Sequence, residues 1–134
     1  MSCDGAARGN PGPAGIGVRI ADADGRVLDE IAEGLGETTN NVAEYTAAIR
    51  GLRRASELGA SRVLLRSDSK LLIEQLAGRY RVRAAHLQDL HRAAMGEATA
   101  FQEVRFEHVP RERNREADRL ANQGVDAWLA EGRA

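Results

Sequence analysis

Four acidic residues, Asp4, Glu44, Asp68 and Asp118, stand at positions that solvation alone explains poorly. Asp4 adjoins a Gly- and Pro-rich stretch at the end of an expected first strand, and Glu44 falls in the first turn of the first long helix. Asp68 follows the apolar run Val63-Leu64-Leu65, in Arg66-Ser67-Asp68-Ser69, and Asp118 lies one turn into the last helix. Strand ends beside strand-to-helix junctions are where open α/β sheets build their sites. Carboxylates that meet there repel one another unless cations neutralise them. No His/Cys pattern accompanies them, and an oxygen-only donor set favours Mg²⁺ or Mn²⁺ over zinc. Two such ions, about 4 Å apart, can activate water and stabilise the leaving oxygen in phosphodiester cleavage. Taken singly, the residues also have plainer readings: Glu44 as a helix-dipole partner, Asp68 as a helix N-cap.

The elements that must hold these groups follow from the pattern along the chain. Gly5, Gly9, Pro11, Gly12, Pro13 and Gly15 predict turns over residues 5–15. Ile16, Val18 and Ile20 then alternate with Gly17, Arg19 and Ala21, the two-residue period of a strand. Asp24-Gly25 turns that strand into a second, Val27 to Leu35. The run Thr38-Thr39-Asn40-Asn41 caps a helix that presents Tyr45, Ala48, Ile49, Leu52 and Ala55 on one face and closes at Gly59. Val63 to Leu65 reads as a buried, parallel strand. Helices follow over Leu71–Leu76, ending near Gly78, and around Leu87, Leu90 and Ala94. Val104, Phe106 and His108 alternate as a last strand, and a final helix from about Asn114 carries Leu120, Ala121, Val125 and Trp128. The order is three strands, helix, strand, two helices, strand, helix. That order predicts an α/β mixed sheet with helices on both faces.

Length and composition bound the function. The 134 residues suit one domain, 1–134, with no repeat or linker to divide it. A 43% hydrophobic and 29% charged composition is globular, and no apolar run is long enough to cross a bilayer. One cysteine, Cys3, and the absence of a leader-like N-terminus predict a cytoplasmic protein. With 19 basic and 20 acidic residues, charge alone does not hold this chain to nucleic acid. All the basic residues but Lys70 are Arg, which suits phosphate contacts but also follows from coding bias.

The flanks of the four carboxylates resemble the type 1 ribonuclease H family. Asp4-Gly5-Ala6-Ala7-Arg8-Gly9-Asn10-Pro11-Gly12-Pro13-Ala14-Gly15 is similar to that family's first block, and Thr38-Thr39-Asn40-Asn41-Val42-Ala43-Glu44-Tyr45 to its second. Ser67-Asp68-Ser69-Lys70 resembles the third, and His108 through Asp118 the fourth. The blocks run in order over essentially the whole chain. The resemblance implies a five-stranded mixed sheet flanked by helices and an endonuclease that cuts the RNA strand of RNA–DNA hybrids. It implies a quartet of Asp4, Glu44, Asp68 and Asp118 holding two Mg²⁺, with Mn²⁺ able to substitute. The products would carry 5′-phosphate and 3′-hydroxyl ends. No membrane and no obligate protein partner is implied.

It further implies that Asn10, Asn40 and Asn41 lie near the substrate, where side-chain amides can read RNA 2′-hydroxyls. Asn40 and Asn41 serve equally as helix caps. Thr39 has two readings as well, a DNA-phosphate contact and an N-cap. His108, ten residues before Asp118, matches a mobile family histidine that helps product release or proton transfer, but its period fits a fixed strand residue. Arg111, with Arg113 and Arg115, is either a phosphate contact or a solvated loop, whereas His86 and His91 are surface or packing residues. Only three residues precede Asp4, fewer than the family's usual start, so a short first strand and a weaker sheet edge are expected. The segment before Leu87 leaves no room for the basic handle of some members; Arg79, Tyr80, Arg81 and Arg83 partly substitute, with weak, salt-sensitive binding expected. Two alternatives stand beside this reading: a nuclease of DNA junctions or double-stranded RNA, and a silent binding module within a larger protein.

Overall fold

The computed structural model describes residues 1–131. Its elements are β1 (Ser2–Ala7), β2 (Gly12–Ala21), β3 (Val27–Thr38), α1 (Asn40–Glu57), β4 (Arg62–Ser67), α2 (Lys70–Leu76), α3 (Ala85–Ala98), β5 (Glu103–His108), a 3₁₀ turn (Arg111–Arg113) and α4 (Arg115–Ala130). The five strands form one sheet in the order β3-β2-β1-β4-β5. β1, β2 and β3 are antiparallel neighbours, whereas β4 and β5 run parallel to β1 after helical crossovers. The expected order of elements and the mixed five-stranded sheet are both present.

The alternation in β2 separates two unlike faces. Ile16, Val18 and Ile20 join Cys3 and the inward residues of α1, α2 and α3 in one hydrophobic core. The intervening Gly15 and Gly17 face α4, which packs over β1, β2 and β3 on the other side. A Cβ on Gly17 would stand 2.1 Å from the Ala117 carbonyl oxygen, and one on Gly34 would stand 2.4 Å from Trp128 Cβ. β2 is therefore buried on both faces, its glycines admitting the α4 backbone to near contact. None of the helices is long and apolar enough to cross a membrane among the described residues.

Three expectations need correction. Residues 5–15 are not all turn: β1 continues through Ala7 and β2 starts at Gly12, because small residues let Ala7 pair with Ala14 and Gly5 with Ile16. The connection is only Arg8 to Pro11, and Asp4 lies within β1 rather than at its end. Glu44 is the fifth residue of α1, past its first turn, which holds no acidic residue, so a helix-dipole role does not account for it. The cap of α1 is Thr39, whose hydroxyl accepts from the Val42 N–H, and the cap of α2 is Ser69; neither Asn40, Asn41 nor Asp68 does that work. The short start of β1 is secured: the Met1 ammonium donates to the Leu64 carbonyl, and the Arg66 N–H to that of Met1, each at 2.8 Å.

Candidate active site

β1 and β4 pair at Ser2 and Arg66 and share no registered pair beyond it, so the two strands part just where Asp4 and Asp68 follow. Asp4 pairs with Gly17, which places it on the α4 side of the sheet. Glu44 arrives from the α1 side. Gly5 makes this possible, since a Cβ there would stand 2.2 Å from the Ala43 carbonyl carbon. Asp4, Glu44 and Asp68 each place a carboxylate oxygen within 4.8 Å of the others. Asp118 lies outside that tight group but lines the same open cleft of about 400 Å³, together with Asn40, Asn41, Ser69 and Arg111.

The electrostatics match the crowding. Asp4 and Glu44 are 6% and 7% exposed. Burial, then the charge of Glu44 and a hydrogen bond with it, pushes the Asp4 carboxyl up to about 10. Burial also raises Glu44, to about 7, against the hydrogen bonds it receives from Asp4, the Gly5 N–H and the Ser67 hydroxyl. Without a cation, then, the pair retains a proton at neutral pH. An oxygen-only donor set that holds a proton for want of compensating charge fits a hard divalent cation.

The residues around the carboxylates divide by what they touch. Asn40 Oδ1 accepts from the Ala7 N–H at 3.0 Å, and Asn10 Oδ1 accepts from the Asn40 N–H at 3.1 Å, tying the β1–β2 turn to the start of α1. His108 ends β5 as an exposed residue with Nε2 3.3 Å from the Asp68 carbonyl oxygen, and it does not line the cleft. His91 is a packing residue, 3.1 Å from the Gln75 carbonyl and edge-on to Tyr45, whereas His86 is exposed. Arg79 is held by two bonds to Glu74.

Two supporting residues have no mark in the local sequence. Ser67 is fully buried; its hydroxyl donates to Glu44 Oε2 at 3.4 Å and accepts from the Ser69 N–H. Asn114 is 1% exposed and its Nδ2 donates to the Cys3 carbonyl, pinning the start of α4 beside Asp4. Both stand inside the matching blocks, but their partners are 23 and 111 residues away in sequence.

Comparison with known proteins agrees with this geometry. Residues 2–124 match the family model described as "Reverse transcriptase-like". Ribonuclease H of Halorhodospira halophila is 39% identical over 142 residues, covering 95% of this chain and 92% of that protein. The chain belongs to the ribonuclease H family. Its structure superposes on LC11-RNase H1, solved in complex with an RNA/DNA hybrid, with a TM-score of 0.90, 41% identity and 96% of each chain covered. It is also 46% identical over 128 residues to the "Bifunctional protein Rv2228c" of Mycobacterium tuberculosis, covering 95% of this chain. The chain spans only 35% of that mycobacterial protein's length.

Proposed function

We propose that residues 1–134 act as one ribonuclease H domain that cuts the RNA strand of RNA–DNA hybrids, with Asp4, Glu44, Asp68 and Asp118 holding two Mg²⁺. The observation that carries this reading is the group of three carboxylates within 4.8 Å, set in an open cleft beside Asn40 and Asn41. Bound divalent ions would supply Lewis-acid activation of water and charge stabilisation at the phosphate. Asp4, Glu44 and Asp68 would form the fixed part of their cage, and Asp118, half-buried at the cleft wall, its outer part. Hydrolysis then adds water across the P–O3′ bond, leaving a 3′-hydroxyl and a 5′-phosphate.

The chain's own groups account for the substrate preference. The carbonyl oxygens of Asn10 and Asn40 are occupied by backbone N–H groups, so their NH₂ groups are what they offer a ligand. An RNA 2′-hydroxyl oxygen can accept from such donors, and a DNA strand lacks it. Asn41 lines the cleft beside them. Thr39 accepts from Val42 N–H, which leaves its hydroxyl hydrogen for a phosphate oxygen, so its two roles are compatible. Arg111 in the cleft wall, and Arg81 and Arg83 outside it, supply positive charge for phosphates. The 3.3 Å contact of His108 Nε2 with the Asp68 carbonyl oxygen favours a supporting role for His108 at the end of β5 rather than a mobile one.

The test compares end-labelled RNA–DNA hybrid, double-stranded RNA and DNA duplex in Mg²⁺, Mn²⁺ and EDTA, with the product ends identified. Hybrid cleavage that needs the metal and leaves 5′-phosphates supports the reading. Preferential cleavage of double-stranded RNA or DNA, or hybrid cleavage unaffected by EDTA, overturns it.

A further inference from the structure

We propose that Asn122 is a positioning residue that sets the Asp118 carboxylate and ties its placement to the turn carrying Asn10. The proposal rests on the reading of the cleft as a hybrid-cutting site. Asp118 lies outside the tight group and meets it through a hydrogen bond with Asp4, so what else holds its carboxylate needs an explanation. One turn further along α4, Asn122 Nδ2 donates to the Asp118 carbonyl at 3.1 Å and to Asp118 Oδ1 at 3.4 Å. At its other end, Asn122 Oδ1 accepts from Arg8 Nη2 at 3.2 Å, and the same nitrogen lies 3.4 Å from the Asn122 backbone carbonyl. Arg8 Nη1 is held in turn by Asp126 at 2.8 Å.

Chemistry fixes the amide's orientation. Reversed, its NH₂ would meet a guanidinium that can only donate, and its oxygen would meet a carboxylate that can only accept. Asn122 thus bridges two groups of opposite hydrogen-bonding character, Asp118 on its own helix and Arg8, 114 residues before it in sequence. Arg8 opens the short connection from β1 to β2, and Asn10, two residues on, accepts from the Asn40 N–H. The path from Asp118 through Asn122 and Arg8 reaches the residues that read the RNA strand. Displacing that turn changes the pull on Asn122, and through it the position of the Asp118 carboxylate.

The experiment uses Asn122→Ala, Asn122→Asp, Arg8→Ala and the Asn122→Ala/Arg8→Ala double variant. Two readouts are taken: the Mg²⁺ midpoint of the thermal-stability rise without substrate, and kcat and KM on hybrid. Asn122→Ala is expected to raise the Mg²⁺ midpoint and lower kcat, each by about 3–10-fold, with KM nearly unchanged. Asn122→Asp keeps the acceptor for Arg8 but not the donor to Asp118, so its kcat falls at least as far; a residue that merely packs would tolerate this isosteric change. The double variant is expected to be within about twofold of the worse single variant, as for residues acting in one network. Wild-type behaviour of both Asn122 variants, or effects of Asn122→Ala and Arg8→Ala that multiply independently, overturns the proposal. If the wild-type chain binds Mg²⁺ but cuts no hybrid, the functional reading falls; an unchanged Mg²⁺ midpoint in Asn122→Ala then overturns the positioning role as well.

Discussion

On the α1 side of the cleft Glu44 is 7% exposed and receives the Gly5 N–H and the Ser67 hydroxyl, whereas on the α4 side Asp118 is half-buried and receives Asn122. Both helices reach the sheet over glycine, α1 at Gly5 and α4 at Gly17, so the backbone approaches are equally close. The difference lies in the surroundings of the side chains. The α1 side continues into a hydrophobic core shared with α2 and α3, which leaves a carboxylate there little exposure to solvent. The α4 side opens into the cleft. Glu44 is buried in one wall of the site and Asp118 half-buried in the other, so ligand removal or mutation should act unequally on the two.

The largest expected effects follow from that inequality. Glu44→Gln should lower kcat on hybrid by about 10³-fold or more, and Asp118→Asn by about 10–100-fold, measured under single-turnover conditions in saturating Mg²⁺. Equal losses would remove the distinction between the two walls.

A smaller effect should appear in stability. Asp4 and Glu44 both have carboxyls raised in the folded chain, chiefly by burial, with the charge of Glu44 adding to the rise at Asp4 and that of Asp68 to the rise at Glu44. Their neutral forms favour folding, so this contribution is full below about pH 4, the unfolded value of carboxyls. It is lost as pH rises through about 7 for Glu44 and onward to about 10 for Asp4. The metal-free protein should therefore lose Tm as pH rises from about 5 to about 9, because the folded chain holds protons that the unfolded chain has released. Excess Mg²⁺ should flatten that slope. Asp4→Asn should raise the metal-free Tm at about pH 8 by a few °C while abolishing cleavage, because it removes a buried carboxyl that must take up a proton to fold. Thermal melts across pH, with and without EDTA, decide this.

The smallest effect concerns the grip on substrate away from both walls. Arg79 is committed to Glu74, whereas Arg81 and Arg83, in the loop between α2 and α3, make no ion pair among the described residues. Arg81→Ala and Arg83→Ala should each reduce the slope of log affinity against log salt by about 1, with little change in kcat. An unchanged slope would place that loop off the nucleic acid.

How much of this was legible beforehand differs by element. The periodicity of Ile16, Val18 and Ile20, the cap at Thr38–Asn41 and the apolar run at Val63–Leu65 state their elements directly, because local pattern and tertiary burial agree there. The role of Gly15 and Gly17 was not legible, since a glycine between strand residues reads as a weak point until a helix is seen lying on it. Glycine and proline around residues 5–15 likewise suggested turn where β1 and β2 continue. In the site, carboxylates announce themselves by type and context. Ser67, Asn114 and Asn122 do not, because their meaning resides in partners brought close only by the fold.

The most direct test of the central claim is cleavage of a labelled RNA–DNA hybrid by wild type and Asp68→Asn, side by side, with folding of the variant checked by circular dichroism. Asp68 completes the three-carboxylate group without being among its most buried members, so the variant should fold normally. We expect Mg²⁺-dependent cutting of the RNA strand by wild type and none by Asp68→Asn. Near-normal Mg²⁺-dependent cleavage by a folded Asp68→Asn would contradict the account.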